Sequence, residues 1–75
     1  MMSMRYTVIY EKSRNGWGAY PPDLPGCGAT GRTLALVKRR IREAIRAQIN
    51  GLREDGLPVP PARALADVVE VVDAA

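Results

Sequence analysis

Pro21-Pro22-Asp23-Leu24-Pro25-Gly26-Cys27 places three prolines and a glycine within seven residues. Proline fixes φ and removes a backbone donor, and it pushes the residue before it out of the α region. The stretch is therefore neither helix nor central strand. It is a stiff corner, and everything upstream must be joined to everything downstream through it.

Upstream, Arg5 to Glu11 puts Tyr6, Val8 and Tyr10 on one face and Thr7, Ile9 and Glu11 on the other, in residue types that favour strands. Asn15-Gly16, after Lys12-Ser13-Arg14, signals a hairpin because both residues tolerate φ > 0. A second strand is predicted from Trp17 to about Tyr20, ending at Pro21. Downstream, Gly28-Ala29-Thr30-Gly31 predicts a short third strand near a sheet edge, since two glycines in four residues weaken a central strand.

Thr33 is placed to N-cap a helix running to about Asp55, with Gly56 to end it and Pro58 just beyond. At ~100° per residue, Leu34, Val37, Ile41, Ala44, Ile45, Ile49 and Leu52 gather on one apolar arc that should face a sheet. Leu57-Pro58-Val59-Pro60-Pro61 reads as an extended crossover. Asp67-Val68-Val69-Glu70-Val71-Val72-Asp73 reads as a last strand, buried on both faces or exposed to a second subunit. The expected fold class is α+β in the order β-β-β-α-β, a small antiparallel sheet with one long helix across it. Residues 1–75 form one domain without internal repeats.

A domain of 75 residues buries only roughly 60% of the surface its unfolded chain exposes. A homodimer or larger assembly, through the valine-rich last strand or an open sheet edge, is the expected supplement. With one cysteine and no histidine, the chain has no intramolecular disulfide, and a zinc site would need an all-carboxylate shell. No metal or cofactor is expected. Met1-Met2-Ser3-Met4-Arg5 leads into no apolar h-region, and no run approaches the ~20 apolar residues of a membrane span, so a cytoplasmic protein is expected. The net charge of +3 permits an anionic partner without identifying one.

Nuclease chemistry would need several carboxylates converging on hard cations. Glu11, Asp23 and Glu43 fall on three different elements, and there is no histidine to act as a base. The chain is therefore expected not to be an enzyme. Cys27 reads as a small buried hydrophobe, and Asp23 as a cap on nearby backbone N–H groups of the corner. Trp17 and Tyr20 alternate faces, so only one should lie under the helix. The other is expected beside the exposed edge of the corner, Asp23 and Leu24, as an interface anchor. Lys38, Arg39, Arg42, Arg46 and Arg53 share an arc beside the apolar face of the helix. They form either a stripe for RNA or an acidic partner, or a solvated face in which Glu43 pairs with Arg39, Arg40 or Arg46.

Taken in order, these pieces resemble the HicB-like antitoxin family. The matching residues are Tyr6-Thr7-Val8-Ile9-Tyr10-Glu11-Lys12, Gly16-Trp17-Gly18-Ala19-Tyr20, Pro22-Asp23-Leu24-Pro25-Gly26-Cys27, Gly31 and Thr33-Leu34. Ile41-Arg42-Glu43-Ala44-Ile45 and the exit Leu52 to Pro60 also match. The resemblance implies a partial RNase H-like fold and a partner, a HicA-type mRNA-cleaving toxin whose active site is covered. Trp17, Tyr20, Asp23 and Leu24 are the expected partner-binding residues. Longer members carry a C-terminal DNA-binding domain, and none is expected here. Family helices usually open Thr-Leu-Glu-Glu-Ala, whereas this one opens Thr33-Leu34-Ala35-Leu36-Val37. The alternative reading is a stand-alone protein that binds RNA or an acidic partner through Lys38, Arg39, Arg42, Arg46 and Arg53.

Overall fold

The computed structural model describes residues 3–74. The expectations that touch Met1, Met2 and Ala75 lie outside them. Four elements follow one another: β1 (Ile9–Ser13), β2 (Gly16–Tyr20), β3 (Ala29–Gly31) and α1 (Leu34–Glu54). The strands form one antiparallel sheet in the order β1-β2-β3, with Ile9 opposite Tyr20, Ser13 opposite Gly16 and Gly18 opposite Thr30. The class is α+β, an antiparallel sheet crossed by one long helix.

The hairpin forms where expected, but for a different reason. No non-glycine residue has positive φ among the described residues, and Gly16 does not either. What position 16 requires is space. A Cβ there would sit 2.3 Å from the Gly31 carbonyl oxygen, so only a bare backbone lets β2 and the end of β3 approach this closely.

The corner consists of two consecutive β-turns that share Leu24. The Leu24 N–H donates to the Pro21 carbonyl at 3.1 Å, and the Cys27 N–H donates to the Leu24 carbonyl at 3.2 Å. In the second turn Pro25 precedes Gly26, whose φ is 81°, the residue order a type II turn demands. This geometry turns Leu24 inward. It is 1% exposed and packs in a core with Ala19, Cys27, Val37 and Ile41.

The helix is capped at both ends. Thr33 is extended, and its Oγ1 accepts the Leu36 N–H at 3.1 Å. At the other end the Leu57 N–H reaches the Leu52 carbonyl and the Gly56 N–H reaches that of Arg53. With Gly56 at φ 67°, these bonds make a Schellman motif. Val37, Ile41 and Ile49 are buried, and Leu34, Ala44, Ile45 and Leu52 are half-buried, so the expected apolar arc does face the sheet. The helix packs against β2 and β3 and stands away from β1.

The fourth strand does not form. Residues 67–73 have no secondary structure, and Val68, Val69, Val71 and Val72 are 94%, 75%, 81% and 85% exposed. β-branched composition specifies a strand only when an edge and a packing surface meet it, and these exposed valines pair with no strand edge. The segment extends from the body, giving principal dimensions of 54 × 27 × 22 Å and a radius of gyration of 15.0 Å. A compact chain of this length would have about 11 Å.

Candidate functional site

The corner is fixed from three sides. Leu24 roots it in the core, Gln48 of α1 donates from Nε2 to the Pro25 carbonyl at 3.3 Å, and Asp23 binds the chain's return segment. The Asp23 Oδ2 accepts the backbone N–H groups of Arg63 and Ala64, both at 2.8 Å. The expectation that Asp23 caps nearby backbone is therefore corrected, because its donors lie 40 and 41 positions away. The same segment is held from the other side, where the Tyr6 hydroxyl donates to the Pro60 carbonyl and the Thr7 Oγ1 donates to that of Ala64.

Leu24 cannot belong to an exposed edge, because the shared double turn buries it. Of the two aromatics, Tyr20 is the exposed one, at 43%, at the end of β2 where the corner begins. Trp17 is half-buried and packs against the core. Its exposed part belongs to a shallow concavity of about 690 Å³ at the hairpin end of the sheet, where Lys12, Thr30, Arg32, Leu36 and Arg40 surround it. The Arg40 Nη1 donates to the Thr30 carbonyl at 2.8 Å, so this cation ties helix to sheet instead of meeting Glu43. Arg32 and Arg40 were not legible as a cluster, since only the pairing of β3 with β2 brings them beside Trp17.

Lys38, Arg39, Arg42, Arg46 and Arg53 are all exposed. Three of them form the rim of the helix on the side facing β1. Lys38 Nζ stands 5.9 Å from the centroid of the Tyr10 ring, and the Arg53 guanidinium lies 3.6 Å from the Met4 sulfur. Lys38 and Arg42 border a groove of about 400 Å³ between the chain leading into β1 and the helix. Its floor and walls are Tyr6, Val8, Tyr10, Ile41 and Ile45. The sequence showed these apolar residues as faces of separate elements, and the gap between them appears only because the helix lies over β2 and β3.

Among the described residues no group of three or more His, Cys, Asp or Glu side chains is arranged to hold a metal ion. Cys27 is buried, and burial pushes its thiol above the ordinary value, which disfavours the nucleophilic thiolate. Among those residues, too, no helix is long and apolar enough to cross a membrane.

Residues 6–74 match the family model described as "HicB_like antitoxin of bacterial toxin-antitoxin system". A UPF0150 protein of Thermoplasma acidophilum is 40% identical over 58 residues, covering 76% of this chain and 84% of that protein. An uncharacterized 14.9 kDa protein of Haemophilus phage HP1 is 37% identical over 57 residues. That match covers 76% of this chain and 43% of the phage protein, so the chain spans less than half of that relative's length. Among solved structures, a chain of the "HicA3 and HicB3 toxin-antitoxin complex" is similar, with a TM-score of 0.68 and 32% identity. The match covers 79% of this chain and 70% of that one.

Proposed function

The chain belongs to the HicB-like antitoxin family, and from that premise we propose that it is a non-catalytic binding module that neutralises a HicA-type, mRNA-cleaving toxin by covering its active site. Its likeness in fold and sequence to a chain of a HicA3–HicB3 complex supports this reading. The observation that carries it to a particular surface is the exposure of Tyr20 beside a corner fixed by Leu24, Gln48 and Asp23. Occlusion needs a surface whose shape is set before the partner arrives, because ordering a loop on binding subtracts from affinity. An exposed tyrosine next to such a surface offers large contact area at low entropic cost and a hydroxyl for the rim. Tyr20 is the anchor in this proposal; the exposed part of Trp17 lies at the hairpin end of β2, away from it. Asp23 and Leu24 act behind the surface, by fixing its shape. The site of action is the cytoplasm, where the toxin's mRNA substrate is found.

Co-expression with the small protein encoded next to this chain tests the proposal. Growth should be restored, and the two proteins should co-purify. Tyr20→Glu should abolish both effects while leaving the fold intact. A neighbour that is neither toxic nor bound would refute the reading.

A further inference from the structure

A row of three residues crosses the sheet near the hairpin. Lys12 of β1 stands opposite Trp17 of β2, and Trp17 stands opposite Gly31 of β3. Directly opposed residues share a face, so Lys12 flanks the indole on one side. On the other side Gly31 makes room: a Cβ there would sit 3.3 Å from both the Arg40 Nη1 and a Leu36 methyl carbon, so bare backbone lets these two lie close to the strand. Arg32 follows β3 directly and completes the border. The shallow concavity of about 690 Å³ therefore holds part of a half-buried ring, with three cations and one carboxylate, Glu11, among its lining residues. Among the described residues no carboxylate pairs with Lys12, Arg32 or Arg40, and no cation lies over the Trp17 ring. The Tyr10 ring, by contrast, already carries Lys38 at 5.9 Å.

We infer that this concavity binds an unpaired nucleotide of single-stranded RNA, with the base stacked on Trp17 and the phosphates beside Lys12, Arg32 and Arg40. An aromatic ring bordered by cations suits a base together with its phosphate, because stacking accepts any base and the backbone charge is met alongside. An acidic peptide would engage the cations and leave the ring without a partner. A duplex keeps its bases stacked on one another and offers the ring none. The open shape favours a strand that continues past the site over a free nucleotide, most of whose surface would stay in water. Ser13, Asn15 and Thr30 line the same hollow and offer donors and acceptors to a ribose 2′-OH, the group that separates RNA from DNA. The site lies at the other end of β2 from Tyr20, so it is separate from the proposed toxin surface and does not depend on it.

Trp17 is the only tryptophan of the chain, so its fluorescence reports this site alone. Titrating the full chain with a single-stranded RNA of about six nucleotides should quench that fluorescence saturably, with an affinity that falls steeply with salt. Lys12→Glu with Arg32→Glu, both exposed and outside the core, should weaken binding by roughly tenfold or more while helical circular dichroism stays unchanged. With labelled RNA followed by anisotropy, Trp17→Tyr should retain affinity that Trp17→Leu loses, since only the first keeps a ring to stack on. Arg42→Glu with Arg46→Glu, on the helix stripe, should change the affinity by less than about threefold. Single-stranded DNA of the same length should bind more weakly, and duplex RNA and polyglutamate should leave the fluorescence unchanged. Absence of quenching at low salt would overturn the inference. So would binding that the stripe substitutions abolish and the Lys12 and Arg32 substitutions spare, or an equal response to DNA, duplex RNA or polyglutamate.

Discussion

The carboxylate of Asp23 accepts a hydrogen bond from the backbone N–H of Ala64 at 2.8 Å, joining the proline corner to a segment 41 positions downstream. With the parallel bond from Arg63 and the Thr7 hydroxyl on the Ala64 carbonyl, it gives a proline-rich strap its fixed path across the body. The strap has few N–H donors of its own because residues 58, 60 and 61 are prolines. Its order therefore depends on the donors and acceptors that the body offers it.

Replacing Asp23 with Ala removes both bonds and should cost about 1–2 kcal/mol, at the low end for charge-assisted bonds because the site is partly exposed. Amide exchange at Arg63 and Ala64 should rise sharply, while protection in the helix falls only by the global loss of stability. Exchange at those two amides that matched the parent would show that the carboxylate does not hold the strap.

Leu24→Ala should be far worse. The side chain is 1% exposed at the junction of the two turns, and truncating a buried leucine costs about 2–5 kcal/mol, a large share of what a domain this small possesses. Urea denaturation should show a much lower midpoint, and toxin neutralisation should fail through loss of fold. A surface role for Leu24 would instead leave the midpoint unchanged.

Two glycines should respond in opposite directions. Gly51 lies in the helix, and a methyl group added there would find nothing within 4 Å, so Gly51→Ala should stabilise by about 0.5–1 kcal/mol. At Gly16 the added methyl meets backbone that cannot yield, and Gly16→Ala should destabilise by about 1–3 kcal/mol as the strands are forced apart. Thermal melts of the two variants settle the contrast.

Burial raises the Cys27 thiol above its ordinary value, so the folded chain holds this proton to higher pH than the unfolded chain does. The unfolded thiol ionises first, and stability should decline as pH rises past its unperturbed value of about 8.5. Cys27→Ala should remove that part of the slope, and native Cys27 should react slowly with a thiol reagent until denaturant is added. Rapid labelling of the native protein would contradict its placement in the core.

What could be read in advance was what neighbouring residues decide among themselves. The Thr33 cap, the Gly56 stop and the helical arc each follow from local backbone preference and period, and all appear in the fold. The strand expected over residues 5–11 forms only from Ile9, as β1 (Ile9–Ser13), although Tyr6, Val8 and Tyr10 do pack against the core as one set. What could not be read depends on distant partners. Leu24 looked like surface because it lies in a polar, proline-rich turn, yet two successive turns rotate it inward. Asp23 looked like a local cap, yet its donors come from the far end of the chain. The valine run looked like a strand, and its residues do favour one, but within a single chain no strand edge pairs with it. The groove beside β1 depends on where the helix crosses the sheet, which no single element specifies.

The most direct test of the antitoxin reading is cleavage of an mRNA by the purified neighbouring toxin, with this chain added at increasing ratio. Cleavage should stop near one binding module per toxin, and it should continue when Tyr20→Glu replaces the parent. Undiminished cleavage at a several-fold excess of the folded parent would contradict the antitoxin reading.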